Sequence, residues 1–151
     1  MLKTKIPPPI YMLIFAGSMY LLDKYIPIYF WLLSPWNRIG FVVVGVSGLF
    51  DAWSLMLFFI AKTTLNPMTP SKTSSLVTTG LYRISRNPMY LGLLIILFGW
   101  ALHLGSVSPL LVLPAFVFVL NKLQIEPEEI ILAAKFGQQY MDYQRQVRRW
   151  I

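Results

Sequence analysis

Four blocks of apolar residues constrain the fold of this chain more than any other feature. The second block is long enough by itself for the ~20 residues with which an α-helix crosses a bilayer. In a chain that is 56% hydrophobic and 13% charged, such blocks predict an all-α membrane protein with about four transmembrane helices. The blocks are Ile10–Leu22, Ile39–Ala61, Met89–Leu104 and Leu110–Leu123.

The segments between the blocks predict turns and a helical hairpin. Leu104–Pro109 is typical of a tight turn, and Lys62–Thr79, rich in Thr, Ser and Pro, indicates a loop. The tight turn makes the third and fourth helices antiparallel, so Arg86–Tyr90 and Asn121–Glu129 are expected to meet at one membrane surface. Ile26–Trp36 contains two prolines and either extends the first helix or lies at the interface as an aromatic belt.

The distribution of basic residues predicts the orientation in the membrane. Eleven of the 13 Lys and Arg residues fall on one side of the predicted spans, and Lys24 and Arg38 fall on the other. By the positive-inside rule, both termini and the Lys62–Pro88 connection are cytoplasmic. The net charge of +7 does not indicate nucleic acid, because the basic residues flank apolar blocks and form no stripe with exposed aromatics. The basic start also fits a cleaved signal peptide, but three more apolar blocks follow it.

Individual residues limit the possible chemistry. The chain has no cysteine and one histidine, His103, which excludes disulfides and thiolate nucleophiles and predicts no metal site. Asp51 is an acid inside an apolar block and is a functional candidate, although a structural partner such as Ser54 or an arginine is an equal alternative. Three glycines of the same block predict close helix packing rather than a nucleotide-binding loop. They are Gly40, Gly45 and Gly48.

The last segment, Pro127–Ile151, is predicted to form a cytoplasmic amphipathic helix. Apolar and aromatic residues recur there at intervals of three and four, which places them on one helical face. They are Leu132, Phe136, Tyr140, Tyr143, Val147 and Trp150. Such a helix either anchors the tail at the interface or completes a site with the hairpin.

Two stretches carry a resemblance to a known family. The first is Gly80-Leu81-Tyr82 followed by Arg86-Asn87-Pro88-Met89-Tyr90, and the second is Glu128-Glu129 followed by Phe136-Gly137, Tyr140, Tyr143 and Val147-Arg148-Arg149. In this order, and joined by a hairpin, they resemble the isoprenylcysteine carboxyl methyltransferase and phospholipid methyltransferase superfamily, especially its small bacterial members. Asn87 stands where the eukaryotic prenylcysteine enzymes commonly have His, so the resemblance does not extend to their substrate.

The resemblance implies one integral-membrane methyltransferase domain over residues 1–151, with a cofactor-binding part at about 72–151. It implies S-adenosylmethionine as cofactor, S-adenosylhomocysteine as product, and an active site on the cytoplasmic side of a bacterial inner membrane. Glu129 and Arg148 are the expected catalytic residues. The residues that match the cofactor site are Leu76, Val77, Gly80, Tyr82, Arg86, Asn87, Pro88, Tyr90, Glu128 and Glu129.

The expected function is methyl transfer to a lipid-like acceptor in the membrane. A carboxylate, an amine, a phenol and a thiol are all open as the accepting group. If the acceptor is a carboxylate, it needs cations to orient it, for which Arg145, Arg148 and Arg149 are candidates. The competing hypothesis is a non-catalytic membrane scaffold or lipid-binding protein that retains the pocket and has no cofactor affinity. Membrane lipids are the expected partners in both cases, and no oligomeric state is predicted.

Overall fold

The computed structural model describes residues 6–60 and 76–151, and apart from one isolated bridge pair its regular elements there are helices. This confirms the all-α class for the described residues. Residues 62–75 of the predicted Lys62–Thr79 loop lie outside them. The α-helices are α1 (Pro8–Tyr25), α2 (Ile39–Ile60), α3 (Pro88–Leu104), α4 (Val112–Leu120), α5 (Glu126–Phe136) and α6 (Gln138–Gln146).

Two helical stretches are long and apolar enough to cross a membrane, Trp36–Leu57 and Ser108–Phe136. The helix α3 is apolar but, with 17 residues, is shorter than these two stretches. The helix α1 carries the charged residues Asp23 and Lys24 in its last turn. Large apolar side chains cover the outer face of α2, as expected of a surface that contacts lipid. All four apolar blocks are therefore helical, and two of them have the length and composition of a span. The arrangement of four transmembrane helices stays a prediction.

The main core lies between α1, α3 and α4. Its fully buried members include Met19, Leu97, Ala101, Phe116 and Leu120. The Trp100 indole of α3 donates a hydrogen bond of 3.1 Å to the Ala16 carbonyl of α1. This packing fixes the α3–α4 hairpin against α1, and it holds the polar ends of the hairpin in place.

The helix α2 packs on α3 through small residues. Gly40 and Gly99 face each other so closely that a Cβ on Gly99 would lie 2.8 Å from the Gly40 carbonyl oxygen. The predicted packing role is thus confirmed for Gly40. It is wrong for Gly45 and Gly48, which face open space because the helical period turns them away from α3.

The segment Ile26–Trp36 does not extend α1, which ends before it. It crosses the turn of the α3–α4 hairpin as non-helical backbone. Trp31 N–H donates to the Gly105 carbonyl at 3.0 Å, and Val107 N–H donates to the Tyr29 carbonyl at 2.9 Å. The aromatic side chains of this segment are exposed, and the interfacial aromatic belt stays a prediction.

The prediction of a single helix over Pro127–Ile151 is wrong about both its start and its end. The helix before it continues without interruption as Ser108–Phe136. Pro127 has no N–H to donate to the carbonyl one turn back, and the wider π turn Asn121–Ile125 just before it absorbs that loss. Gly137, with φ 51°, then breaks the helix, and α6 follows as a separate short element.

Candidate active site

The hairpin brings two polar clusters into contact, as the sequence predicts. The Tyr90 hydroxyl, in the first turn of α3, donates a hydrogen bond of 2.6 Å to Glu128 Oε1, in the first turn of α5. The Trp150 indole donates to Asn121 Oδ1 at 3.1 Å. The starts of α3 and α5 therefore lie at the same end of the bundle, together with the end of the chain.

Glu129 joins two arginines from distant parts of the chain. Arg149 donates from Nε to Oε1 at 3.2 Å and from Nη2 to Oε2 at 2.6 Å, the fork geometry typical of strong guanidinium–carboxylate pairs. Arg86 Nη1 lies 3.0 Å from Oε1, and the side chains of Arg86 and Glu129 are only 12% and 14% exposed. Arg86 is therefore not a solvated anchor at the membrane edge. The hydrogen bonds that Arg149 itself donates to Glu129 raise the pKa of Arg149, which keeps this ion pair charged.

The chain after α6 docks on the loop that precedes α3. The backbone N–H of Arg86 donates to the Arg148 carbonyl at 3.0 Å. Asn87 Nδ2 donates to the Arg149 carbonyl at 3.0 Å, and Ser85 Oγ donates to the same carbonyl at 3.4 Å. Arg148 is exposed, and it is the backbone carbonyl of this residue that takes part in the cluster. Asn87 connects two segments of the protein here, and its predicted cofactor role stays a prediction.

An aromatic cluster lies beside these contacts. Tyr143 OH donates a hydrogen bond of 2.6 Å to the Tyr82 carbonyl, and burial raises the pKa of Tyr143, so the hydroxyl stays protonated. Most residues of the predicted apolar face therefore pack together, although the helix is broken at Gly137. Trp150 is the exception, because it packs on the main core. The members of the cluster are Tyr140, Tyr143 and Val147, with Leu76, Leu132, Ala133 and Phe136 packed against them.

Gly80 starts the turn that carries Tyr82. Its φ of 60° is favourable for glycine, and a Cβ there would lie 2.7 Å from Leu57 Cδ1 of α2. Val77 is buried just before this turn, and Pro88 is buried at the first position of α3, where a missing N–H has no consequence. These residues shape the backbone around the polar cluster.

Tyr82 lies at the centre of the site. It is 7% exposed, and burial is the main reason why the pKa of its hydroxyl lies well above the usual value. Tyr143, Glu128 and Asp51 also raise this pKa, in that order. The Tyr82 hydroxyl is therefore within electrostatic range of residues from α6, α5 and α2.

His103, which was singled out in the sequence, does not belong to this site. His103 is at the opposite end of α3, where its ring stacks on Phe41 at 4.0 Å between centroids and lies 5.5 Å from Trp100. Within residues 6–60 and 76–151 no group of three His, Asp or Glu side chains is placed to hold a metal. His103 therefore packs as a structural ring.

Sequence reasoning chose Arg148 over Arg149 as the catalytic arginine. Of the two, Arg149 is the one whose guanidinium joins the cluster. Both arginines lie beyond α6, which ends at Gln146 instead of continuing to Ile151 as predicted. The available signal was the Val-x-Arg pattern of the family's tail, which in Val147-Arg148-Arg149 places its arginine at Arg149.

The sequence model of the phospholipid methyltransferases matches residues 36–139, which is more than two thirds of the chain. The chain belongs to the phospholipid methyltransferase family. A relative from Haemophilus influenzae, described as an uncharacterized protein, is 46% identical over 63 residues, which are 42% of this chain and 100% of that protein. No solved structure is significantly similar to the chain.

This phospholipid methyltransferase family member therefore belongs to a family of methyltransferase enzymes. The family match includes Tyr90, Glu128 and Glu129 and ends before Tyr143 and Arg149. Those two residues contact the matched part directly, Tyr143 through the Tyr82 carbonyl and Arg149 through Glu129. The tail of this family member therefore belongs to the same structural unit as the matched helices.

Proposed function

We propose that this phospholipid methyltransferase family member transfers a methyl group from S-adenosylmethionine to a lipophilic acceptor in the bilayer. The observation that carries the proposal is the contact between Tyr90 and Glu128, a hydrogen bond of 2.6 Å that joins the two halves of the motif across the hairpin. Around it lie Tyr82 and the Arg86–Glu129 pair.

The residues present fit the chemistry of S-adenosylmethionine. The molecule carries a cationic sulfonium and an amino group, ribose hydroxyls, a carboxylate and a flat adenine. Glu128 offers a partly buried carboxylate to the donors, and Arg86 offers a guanidinium to the carboxylate. The rings of Tyr82 and Tyr90 offer π faces to the adenine or the cation. Bound there, the cofactor supplies an activated methyl group.

The protein contributes position and exclusion of water. Methyl transfer is an in-line displacement, for which holding the two partners in line and keeping water out supply much of the rate. Glu129 has both carboxylate oxygens engaged by Arg149, with Arg86 close to one of them. This supports an electrostatic and positioning role for Glu129 rather than a role as a free base.

The remaining expectations form part of the same proposal. The cofactor-binding part covers about residues 72–151, of which 76–151 are described. The site faces the cytoplasm, on the side that the basic residues favour, in a bacterial inner membrane. Arg148, exposed beside the site, orients an anionic head group rather than the cofactor.

Calorimetry with S-adenosylhomocysteine tests the proposal on the full chain in lipid nanodiscs. Glu128→Gln keeps the shape of the side chain and removes its charge, and should weaken binding by about tenfold or more, because a charge-assisted hydrogen bond is worth about 1.5–3 kcal/mol. Asp142→Asn is the matched control, since Asp142 is 51% exposed and pairs with Arg145 on the surface. No binding by folded wild-type protein would contradict the proposal and favour the non-catalytic scaffold.

A further inference from the structure

Asp51 lies in α2 and packs against α3. The proposed cofactor site gives this residue no role. One turn before it, Ser47 Oγ donates a hydrogen bond of 2.8 Å to the Gly92 carbonyl. A Cβ on Gly92 would occupy the position of the Asp51 carboxylate. Gly92 therefore makes room on α3 for this carboxylate, and the two helices meet around it.

The structural partners expected from the sequence do not satisfy Asp51. Ser54 donates its hydroxyl to the Phe50 carbonyl of its own helix at 3.1 Å. Asp51 Oδ1 is buried and accepts no hydrogen bond from any residue in 6–60 or 76–151. A carboxylate inside an apolar helix is costly unless something pairs with it, and such groups are commonly functional.

The position of Asp51 relates it to the cofactor site. Gly92 lies two residues after Tyr90, which holds Glu128, and the Tyr82 hydroxyl is within electrostatic range of both Glu128 and Asp51. Gly92 comes four residues after Pro88, so the carboxylate lies about 6 Å inward from the start of α3 at ~1.5 Å per residue. In the proposed orientation this direction leads into the bilayer, from which a lipid-like acceptor would arrive.

We propose that Asp51 binds the methyl acceptor and takes its proton, an inference that rests on the proposed function. The acceptor donates an N–H, O–H or S–H to the Asp51 carboxylate. As its lone pair forms a bond to the methyl carbon, the carbon–sulfur bond breaks, its electron pair stays on sulfur, and the acceptor proton passes to Asp51. A carboxylate acceptor has no proton to give at neutral pH and is repelled by Asp51. The acceptor is therefore an amine, hydroxyl or thiol.

The test uses the full chain in nanodiscs made with total membrane lipids of Haemophilus influenzae and S-adenosylmethionine labelled in the methyl group. Methyl esters release volatile labelled methanol in mild alkali, whereas N-, O- and S-methyl groups survive it and release none. The expected label is alkali-stable. Asp51→Asn, which keeps the shape of the side chain, should lower the transfer rate by about a hundredfold. Its affinity for S-adenosylhomocysteine, measured by calorimetry, should not change. Ser54→Ala should transfer at the wild-type rate.

Alkali-labile label would overturn the inference, and so would an Asp51→Asn variant that transfers at the wild-type rate. Cofactor binding by the wild type without any labelled lipid would also count against an acceptor site at Asp51. Loss of cofactor affinity in Asp51→Asn would instead place this residue in the cofactor site. A wild type that does not bind S-adenosylhomocysteine would overturn the proposed function itself, and calorimetry identifies that outcome before any transfer is measured.

Discussion

Arg149 and Glu129 form a two-point contact, with Nε 3.2 Å from Oε1 and Nη2 2.6 Å from Oε2. Because Arg86 also pairs with Glu129 at 3.0 Å, this carboxylate ties the chain end and the loop before α3 to α5. The contact explains why a site built on the hairpin needs the last residues of the chain. It also makes the tail part of the proposed cofactor site.

Removal of the Arg149 side chain is expected to loosen the tail. Arg149→Ala should lower the free energy of unfolding by about 1–2 kcal/mol, because Glu129 loses two charge-assisted hydrogen bonds but keeps Arg86. The thermal midpoint of the detergent-purified protein measures this loss. Arg145→Ala is the control, since Arg145 is 72% exposed and lies 3.5 Å from Asp142, where an ion pair contributes little. Equal midpoints for the two variants would contradict the docking of the tail through Glu129.

The hydroxyl of Tyr90 is expected to support cofactor affinity through Glu128. Tyr90→Phe keeps the ring and removes the donor of the 2.6 Å hydrogen bond. S-adenosylhomocysteine affinity should fall by about tenfold, because Glu128 is no longer held in one orientation. Calorimetry measures the change, and Tyr25→Phe, at a residue that is 68% exposed at the end of α1, is the matched control. Unchanged affinity in Tyr90→Phe would show that Glu128 is positioned by other contacts.

The close contact of α2 with α3 is expected to tolerate no side chain at residue 40. In Gly40→Ala the new Cβ would meet the Gly99 backbone and lie 2.7 Å from His103 N, so the helices must separate. The loss should be about 1–3 kcal/mol or more, as for overpacked interiors. Gly45→Ala lies on the same helix with nothing within 4 Å of its Cβ and should be neutral or slightly stabilising. Thermal unfolding in detergent compares the two, and similar midpoints would contradict the packing.

The proposed orientation is open to a labelling test, because the chain has no cysteine of its own. We expect Leu33→Cys, in the exposed segment that crosses the hairpin turn, to react with a membrane-impermeant maleimide in spheroplasts. Gln138→Cys, exposed at the start of α6, should react only after lysis, because the proposed orientation places this end of the bundle in the cytoplasm. The reverse pattern would place the site on the outer side.

The parts of the fold that follow a hydrophobic period were predictable from the sequence. The start of α2 and both ends of α3 match the apolar blocks within about two residues, because these helices are apolar over almost their whole length. The contact between the two polar clusters was also predictable, since a short turn makes neighbouring helices antiparallel. The Tyr90–Glu128 hydrogen bond confirms that arrangement.

The errors have local physical causes. Pro127 suggested a helix start, but the π turn before it allows the helix to continue through the proline. Gly137 ends α5, although Phe136 before it and Tyr140 after it fit one helical period in the sequence. The fork between Arg149 and Glu129 lies between an extended chain end and a helix, and no periodicity describes such a contact.

Photochemical cross-linking of S-adenosylmethionine tests the central claim most directly. The full chain in nanodiscs is irradiated with the methyl-labelled cofactor, and the labelled peptides are identified by mass spectrometry with excess S-adenosylhomocysteine as competitor. The account predicts competed label on the peptides that carry Tyr82 and Tyr90, whose rings line the site beside Glu128. Label confined to the opposite end of the bundle, around His103, or label that the competitor does not remove, would contradict it.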